Sequence, residues 1–128
     1  MNVRIVPLEA WHFESIVLQD AQRNLQPLLH TEGYRSELLR RSVAFSAVDD
    51  AVIAIAGVAL AWPEREVAWS LLSNCGPRRF ATIHRAVKGF LESRRTRRIE
   101  LTVDAAHDSA GRWARLLGFQ EEGLMQAY

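Results

Sequence analysis

The stretch from Arg97 to Glu122 limits the possible folds of this sequence more than any other segment. Apolar and polar residues alternate from Ile99 to Asp104, which is the pattern of a strand with two unlike faces. Apolar residues then recur at offsets of three and four between Asp108 and Leu117, which predicts a helix with one buried side. Gly118 is suited to end that helix, and Phe119 begins a segment that predicts a last strand. The order strand, loop, helix and strand occurs in many α/β proteins, so the rest of the chain must narrow the choice.

Composition excludes several classes of protein. The 128 residues suffice for one domain, and 48% hydrophobic and 24% charged residues are typical of an ordinary globular protein. A formal net charge of +1 gives no general attraction to nucleic acid or to an anionic membrane. The apolar run from Ala51 to Trp62 is too short for a membrane-spanning helix, and the first residues lack a signal-peptide pattern. The single cysteine, Cys75, fits a reducing compartment, so we expect a cytoplasmic protein.

The remaining segments predict an α/β sandwich. The first half of the chain predicts a strand at Val3–Pro7, a helix at Glu9–Gln22, a connector at Leu25–His30 and a helix from Thr31 with Tyr34, Leu38 and Leu39 inward. It is followed by a hairpin of two strands, Val43–Ala47 and Val52–Trp62, and by a central strand at Val67–Leu72. The next predicted helix begins after Gly76 and ends at the arginines of 94–98. The hairpin strands are antiparallel, whereas the crossover to the strand at Ile99 is parallel. The expected fold class is therefore α/β, with a mixed, mostly antiparallel sheet and helices on both faces.

This order of elements resembles the GNAT (GCN5-related N-acetyltransferase) fold over nearly the whole chain. In that family the loop after the fourth strand and the start of the next helix hold the pyrophosphate of acetyl-coenzyme A, and the matching loop here is Asn74 to Phe80. Free N–H groups at a helix start favour an anion on general grounds. The resemblance implies that the cofactor is bound by Leu72, through its backbone N–H at the oxyanion position, and by Asn74, Gly76, Arg78, Arg79 and Phe80. The family's Gln/Arg-x-x-Gly-x-Gly/Ala pattern keeps one glycine here, so an ordinary capped helix is the alternative.

A second motif surrounds the helix that Gly118 ends. GNAT proteins often carry a pattern like Asn-x-x-Ala-x-x-x-Tyr-x-x-x-Gly-Phe there. Ala110 and the Gly-Phe pair match it, whereas His107 replaces the Asn and Ala114 replaces the Tyr. In the family that Tyr often protonates the departing thiolate, which Ala114 cannot do. The motif, together with the strand 67–73, is also similar to GNAT-like proteins of tailed phages, so a phage origin is a further hypothesis.

Acetyl transfer to an amine needs a base for the ammonium proton, donors for the oxyanion and an acid for the thiolate. Glu66 and His107, at the start of the central strand and after the next strand, are the candidate catalytic residues. Each has a structural alternative, Glu66 as a solvated turn residue and His107 as a loop or coenzyme contact. Cys75 has no obvious base partner, so we expect a passive residue. No histidine has metal-ligand spacing with a cysteine or carboxylate, and we expect no metal site.

Two functions follow from these features. The first is an N-acetyltransferase that moves an acetyl group from acetyl-coenzyme A to an amine of a small molecule or protein. The second is a catalytically inactive GNAT-like binding or virion-associated component, which Ala114 and the reduced glycine pattern favour. We expect no nucleic-acid partner, because the basic cluster at 94–98 is typical of a solvated helix end. A second copy could pair with the sheet edge that a truncated last strand leaves open, which predicts a homodimer.

Overall fold

The structure, a computed structural model, describes residues 2–94, 98–102 and 108–120. Its strands are β1 (Arg4–Pro7), β2 (Ser42–Asp49), β3 (Ala51–Trp62), β4 (Arg65–Leu72) and β5 (Arg98–Glu100). Its helices are α1 (Ala10–Ser15), α2 (Gln26–Leu29), α3 (Glu32–Arg41), α4 (Pro77–Ser93) and α5 (Asp108–Leu116), with a 3₁₀ helix at Asp20–Leu25. Within the described ranges, no helix has the length and apolar character that crossing a membrane requires.

The five strands form one sheet in the order β1-β2-β3-β4-β5. The first four are antiparallel neighbours, whereas β5 runs parallel to β4. The turn between β3 and β4 consists of Pro63 and Glu64, and Glu64 takes a positive φ of 70°, a geometry that proline at the preceding position favours. The predicted mixed sheet, the hairpin and the parallel crossover are confirmed.

Helices cover both faces of the sheet, and each face has its own core. The first core joins α1, α2 and the sheet through Phe13, Ile16, Leu18, Leu29, Val48, Val52, Ile55 and Leu71, with Tyr34 and Leu38 of α3 packed against it. The second joins α4 and the sheet through Phe45, Ala47, Ile53, Ala54, Ala56, Leu72, Ile83 and Val87, with Trp113 and Leu117 near α5 packed against it. The two-layered covering follows from β2–β4, whose apolar residues project to both sides of the sheet.

The first helix is much shorter than the predicted Glu9–Gln22. It ends at Ser15, and Ile16 and Leu18 are buried outside the helix. The carboxamide of Gln26 donates to the Ile16 carbonyl at 2.9 Å and accepts from the Leu18 N–H at 2.8 Å. These bonds replace the backbone partners that a continued helix would provide. The prediction for Leu39 was also wrong, because that side chain is 36% exposed.

The second half of the chain follows the predicted order. Helix α4 begins with Gly76 at the N-cap and Pro77 in the first turn, as expected. After α5, the Phe119 N–H donates to the Ala114 carbonyl and the Gly118 N–H to the Arg115 carbonyl, which is the Schellman arrangement of a helix that stops at glycine. Strand β5 ends at Glu100, earlier than predicted. Positions 119–120 are not strand, and the rest of the predicted last strand lies outside the described residues.

Candidate functional site

A cleft opens where β4 and β5 part. The two strands pair only through Arg65↔Arg98, Glu66↔Ile99 and Val67↔Glu100, whereas β4 continues to Leu72. From Ala68 onward, β4 therefore has no β5 partner among the described residues. A cavity of about 640 Å³ lies along this free edge and reaches both faces of the sheet.

The walls of the cleft come mainly from four parts of the chain, with a few further residues. The 3₁₀ helix contributes Ala21, Gln22 and Leu25; the end of β4 and the following loop contribute Ala68 to Ser70 and Leu72 to Pro77; α4 contributes Phe80, Val87, Phe90 and Leu91; the region of α5 contributes Ser109, Ala110, Trp113, Ala114, Leu117 and Phe119. Leu101 and Thr102 after β5 complete the described wall, together with Gln19, Ala56 and Gly57. This described wall contains no carboxylate, histidine, lysine, arginine or tyrosine. It suits an extended ligand that contacts apolar side chains and backbone groups.

The first turn of α4, beside the cleft, has backbone donors without partners among the described residues. Gly76 has φ 84° and ψ 165°, a region of backbone space that is essentially restricted to glycine. Pro77 occupies the first helical position, where its missing N–H costs nothing. No side chain of the described residues caps the helix start, so the N–H groups of Arg78 and Arg79 remain available there. An anion fits this helix end on electrostatic grounds.

The side chains of the predicted phosphate ligands differ in their availability. Arg79 donates from Nε to Oδ2 of Asp49 at 2.7 Å, and this hydrogen bond lowers the pKa of the Asp49 carboxyl below its usual range. Arg79 is therefore tied to the hairpin between β2 and β3. Arg78 is exposed and makes no hydrogen bond or ion pair with the described part of the chain. Of the two arginines, Arg78 is the one whose charge is free for a ligand.

The remaining predicted binding residues lie in the wall of the cleft. Asn74 is exposed, and Phe80 packs edge-to-face on Trp113 with ring centroids 5.0 Å apart. Trp113 also donates from Nε1 to Nδ1 of His84 at 3.0 Å. These contacts hold the Trp113 indole in place as part of the wall. The sequence predicted only that Trp113 lies on the buried side of a helix, not that it lines the cleft.

The backbone N–H of Leu72 already has a partner. It donates to Oε1 of Gln22 at 2.9 Å, and Nε2 of Gln22 donates to the Ser70 carbonyl at 2.9 Å. The Leu72 carbonyl in turn accepts from the Gln19 N–H at 2.8 Å. Sequence reasoning missed Gln22, because about fifty residues separate it from β4 and no local pattern marks it.

Of the two predicted catalytic residues, the structure describes only Glu66. Glu66 is 5% exposed and outside the wall of the cleft, and its two oxygens accept from Nε and Nη2 of Arg94 at 3.1 and 2.6 Å. His107 lies outside the described residues. Ala114 lines the cleft and is 9% exposed, so no hydroxyl stands at the position where the family often carries one. The catalytic assignments remain predictions.

Cys75 lies in the wall beside Gly76. Burial raises the pKa of its thiol, which keeps it in the weakly nucleophilic thiol form. This agrees with the passive role that the sequence favours. Among the described residues, no group of three or more His, Cys, Asp or Glu side chains is arranged to hold a metal ion.

Solved structures share this fold over nearly their whole length. A transcriptional regulator from Bacillus halodurans C-125 has a TM-score of 0.66 at 14% identity, covering 99% of this chain and 100% of that one. The aminoglycoside N-acetyltransferase AAC(6')-Iy, in complex with the bisubstrate analog CoA-S-monomethyl-acetylneamine, has a TM-score of 0.65 at 15% identity, and the match covers 100% of this chain and 97% of that one. A putative acetyltransferase of the GNAT family from Xanthomonas campestris pv. campestris has a TM-score of 0.61 at 17% identity, and the match covers 100% of this chain and 94% of that one. No protein-family model and no curated protein matches the sequence.

These similarities establish the fold. The five-stranded, mostly antiparallel sheet with helices on both faces is that of the GNAT acetyltransferases. At 14–17% identity the likeness carries no residue roles from those proteins to this chain.

Proposed function

We propose that this protein is an N-acyltransferase that binds acetyl-coenzyme A in the cleft between β4 and β5 and transfers the acetyl group to an amine. The observation that carries the proposal is the parting of the two strands after Val67↔Glu100, directly beside the uncapped start of α4. A cavity of about 640 Å³ at that point is large enough for the extended thiol arm of the coenzyme.

The described residues fit the coenzyme by their chemistry. The N–H groups at the start of α4 and the Arg78 guanidinium suit a diphosphate. The glycine-only conformation at Gly76 keeps a side chain away from that approach. The apolar wall formed by Phe80 and Trp113 suits the alkyl part of the thiol arm.

The proposed reaction needs few catalytic groups in the wall of the cleft. The amine nitrogen attacks the thioester carbonyl, the carbon–sulfur bond breaks, and the ammonium proton leaves while the thiolate is protonated. Because a thioester is already activated, holding the amine and the carbonyl together supplies much of the rate. His107 remains the candidate base that lies nearest in sequence to the α5 wall. Glu66 is the weaker candidate, since Arg94 holds its carboxylate away from the cleft.

A second candidate function is coenzyme binding without catalysis. Two observations favour it: the hydrogen bond from the Leu72 N–H to Gln22, and the alanine at position 114. In that reading the protein keeps the GNAT cleft as a binding or virion-associated component.

Calorimetric titration with acetyl-coenzyme A and with coenzyme A tests the binding step, and thiol release in the presence of a panel of amines tests turnover. We expect binding by the wild-type protein, and a Kd for Arg78→Ala that is about three- to tenfold higher, since one charged hydrogen bond to phosphate is lost. Arg85→Ala is the matched control, because Arg85 lies on the same helix, is exposed and contacts Thr82 rather than the cleft.

The outcomes separate the two candidates. Thiol release that depends on an amine supports the acyltransferase. Binding without release for any amine of the panel favours the inactive binding protein. An absence of heat at high micromolar coenzyme, for wild type and variants alike, would overturn both.

A further inference from the structure

The Gln22 side chain occupies the free edge of β4 as a neighbouring strand would. Its Oε1 accepts from the Leu72 N–H and its Nε2 donates to the Ser70 carbonyl, both at 2.9 Å. The Gln19 N–H adds a third bond, to the Leu72 carbonyl at 2.8 Å. A single carboxamide thus supplies the donor and the acceptor that a strand presents to every second residue of its neighbour.

The groups that Gln22 covers are those that a ligand in the cleft would use. They belong to the part of β4 beyond its pairing with β5, and Gln22, Ser70 and Leu72 all line the cavity. A secondary amide or a thioester carbonyl that lies along this edge beside Leu72 would take the Leu72 N–H as its donor. The ligand and the Gln22 carboxamide therefore compete for the same hydrogen bonds.

We propose that Gln22 is a gate for the cleft: its carboxamide closes the free edge of β4 in the unliganded protein and must leave Ser70 and Leu72 before the thioester end of the coenzyme can bind. This inference rests on the proposed function, since it takes acyl-coenzyme A as the ligand. Gln22 then determines the affinity of the cleft without touching the bond that reacts.

The surroundings of Gln22 allow the side chain to move without unfolding its segment. Gln22 is half-buried and lies in a 3₁₀ helix, whose hydrogen bonds are poorer than those of an α-helix. The start of the segment is held separately by the Gln26 carboxamide, through Ile16 and Leu18. Rotation of the Gln22 side chain therefore breaks only its own contacts.

The test compares the Kd for acetyl-coenzyme A of wild type, Gln22→Ala and Asn24→Ala by calorimetry. Gln22→Ala removes the competing carboxamide, so we expect its Kd to fall about tenfold, the effect of one to two hydrogen bonds that no longer need breaking. Asn24 is exposed in the same 3₁₀ helix and does not line the cavity, so Asn24→Ala should bind as wild type does.

A second measurement needs no variant. In ¹⁵N–¹H spectra of the wild-type protein, saturation with acetyl-coenzyme A should speed solvent exchange of the Gln22 side-chain NH₂ while the Leu72 amide stays protected by its new partner. Unchanged Gln22 signals in the saturated protein would overturn the gate.

The possible results distinguish the gate from the cleft itself. Tighter binding by Gln22→Ala supports the gate, most strongly if only that variant binds. Equal or weaker binding by Gln22→Ala than by wild type overturns the gate and leaves the proposed function standing. No binding by any of the three proteins overturns the proposed function, and the gate with it.

Discussion

Gly57 lies in β3 at a position where a side chain would clash with β2. It pairs with Ala44, and a Cβ at position 57 would stand 2.4 Å from the Val43 carbonyl oxygen and 2.5 Å from the Ala44 Cβ. Both neighbours belong to the central sheet and cannot move without displacing strand pairs. We expect Gly57→Ala to lower the free energy of unfolding by about 1–3 kcal/mol, measured by urea denaturation.

Gly89 provides the control for this substitution. It lies inside α4, is exposed, and an added Cβ would meet nothing within 4 Å. Gly89→Ala should therefore stabilise the protein by about 0.5–1 kcal/mol through helix propensity. Similar changes in stability for the two variants would contradict the steric argument at Gly57.

His12 is a buried residue whose charge state is fixed by its neighbours. It is 1% exposed, and its Nδ1 accepts from the Glu9 N–H at 3.0 Å and lies 2.7 Å from the Ser46 hydroxyl. Burial lowers the pKa of His12 below its usual 6.5, and the nearby Glu9 offsets only part of this effect. Protonation at Nδ1 would place a ring N–H against the Glu9 N–H, so these contacts favour the neutral imidazole.

This pKa shift predicts how stability depends on pH. Because the pKa is lower in the folded state, the contribution of His12 is complete above pH 6.5. As the pH falls from there toward the folded pKa, the unfolded chain takes up the proton first and stability decreases, by at most about 1.4 kcal/mol per pH unit. Urea denaturation between neutral and mildly acidic pH measures the slope.

Two variants isolate His12 in that experiment. His12→Gln should flatten the dependence on pH whatever it does to overall stability. His30 is exposed, so His30→Gln should leave the wild-type slope unchanged. Parallel curves for all three proteins would show that another group is responsible.

At the scale of secondary structure, an ion pair joins the end of α4 to the start of β4. Arg94, directly after the helix, binds both oxygens of Glu66, whose side chain is 6% exposed. Removing one partner of a buried pair leaves the other charge uncompensated. We expect Glu66→Gln to cost about 2 kcal/mol in the free energy of unfolding, since Arg94 retains some access to water.

The same variant tests whether Glu66 acts in the cleft. Because Glu66 lies outside the wall, the affinity for coenzyme A should stay within about twofold of wild type. Glu92→Gln, exposed on α4, serves as the control, with an expected change in stability below about 0.5 kcal/mol. A loss of affinity or turnover in Glu66→Gln beyond what the loss of stability explains would restore a functional role.

At the scale of the whole molecule, β5 is the last strand of the sheet among the described residues, and it pairs with β4 through three residue pairs. Among the described residues, no strand pairs with the other edge of β5. Since an open edge invites pairing with another chain, we expect a homodimer. Sedimentation equilibrium at increasing protein concentration measures the association, and a monomer up to high micromolar concentration would contradict the prediction.

The sequence predicted the order of the elements better than their extents. The strands β2 to β4, the start of α4 and the end of α5 carry local signals: alternation, proline after a glycine cap, and a glycine that stops a helix. The early end of α1 carries no such signal, because it depends on the distant Gln26 carboxamide. Strand β5 was predicted too long, since alternation shows which residues suit a strand but does not show where its neighbour turns away.

The fold class and the order of the elements were determined by the sequence itself, because hydrophobic period, turn residues and helix caps act between neighbours in the chain. Only the tertiary structure decided which groups of the site are free. In the folded protein Arg79 is hydrogen-bonded to Asp49, Glu66 to Arg94 and the Leu72 N–H to Gln22. These three contacts join residues 28 to 50 positions apart in the chain. Such pairings depend on which side chains the packed sheet and helices bring within hydrogen-bond distance, and no local pattern records that.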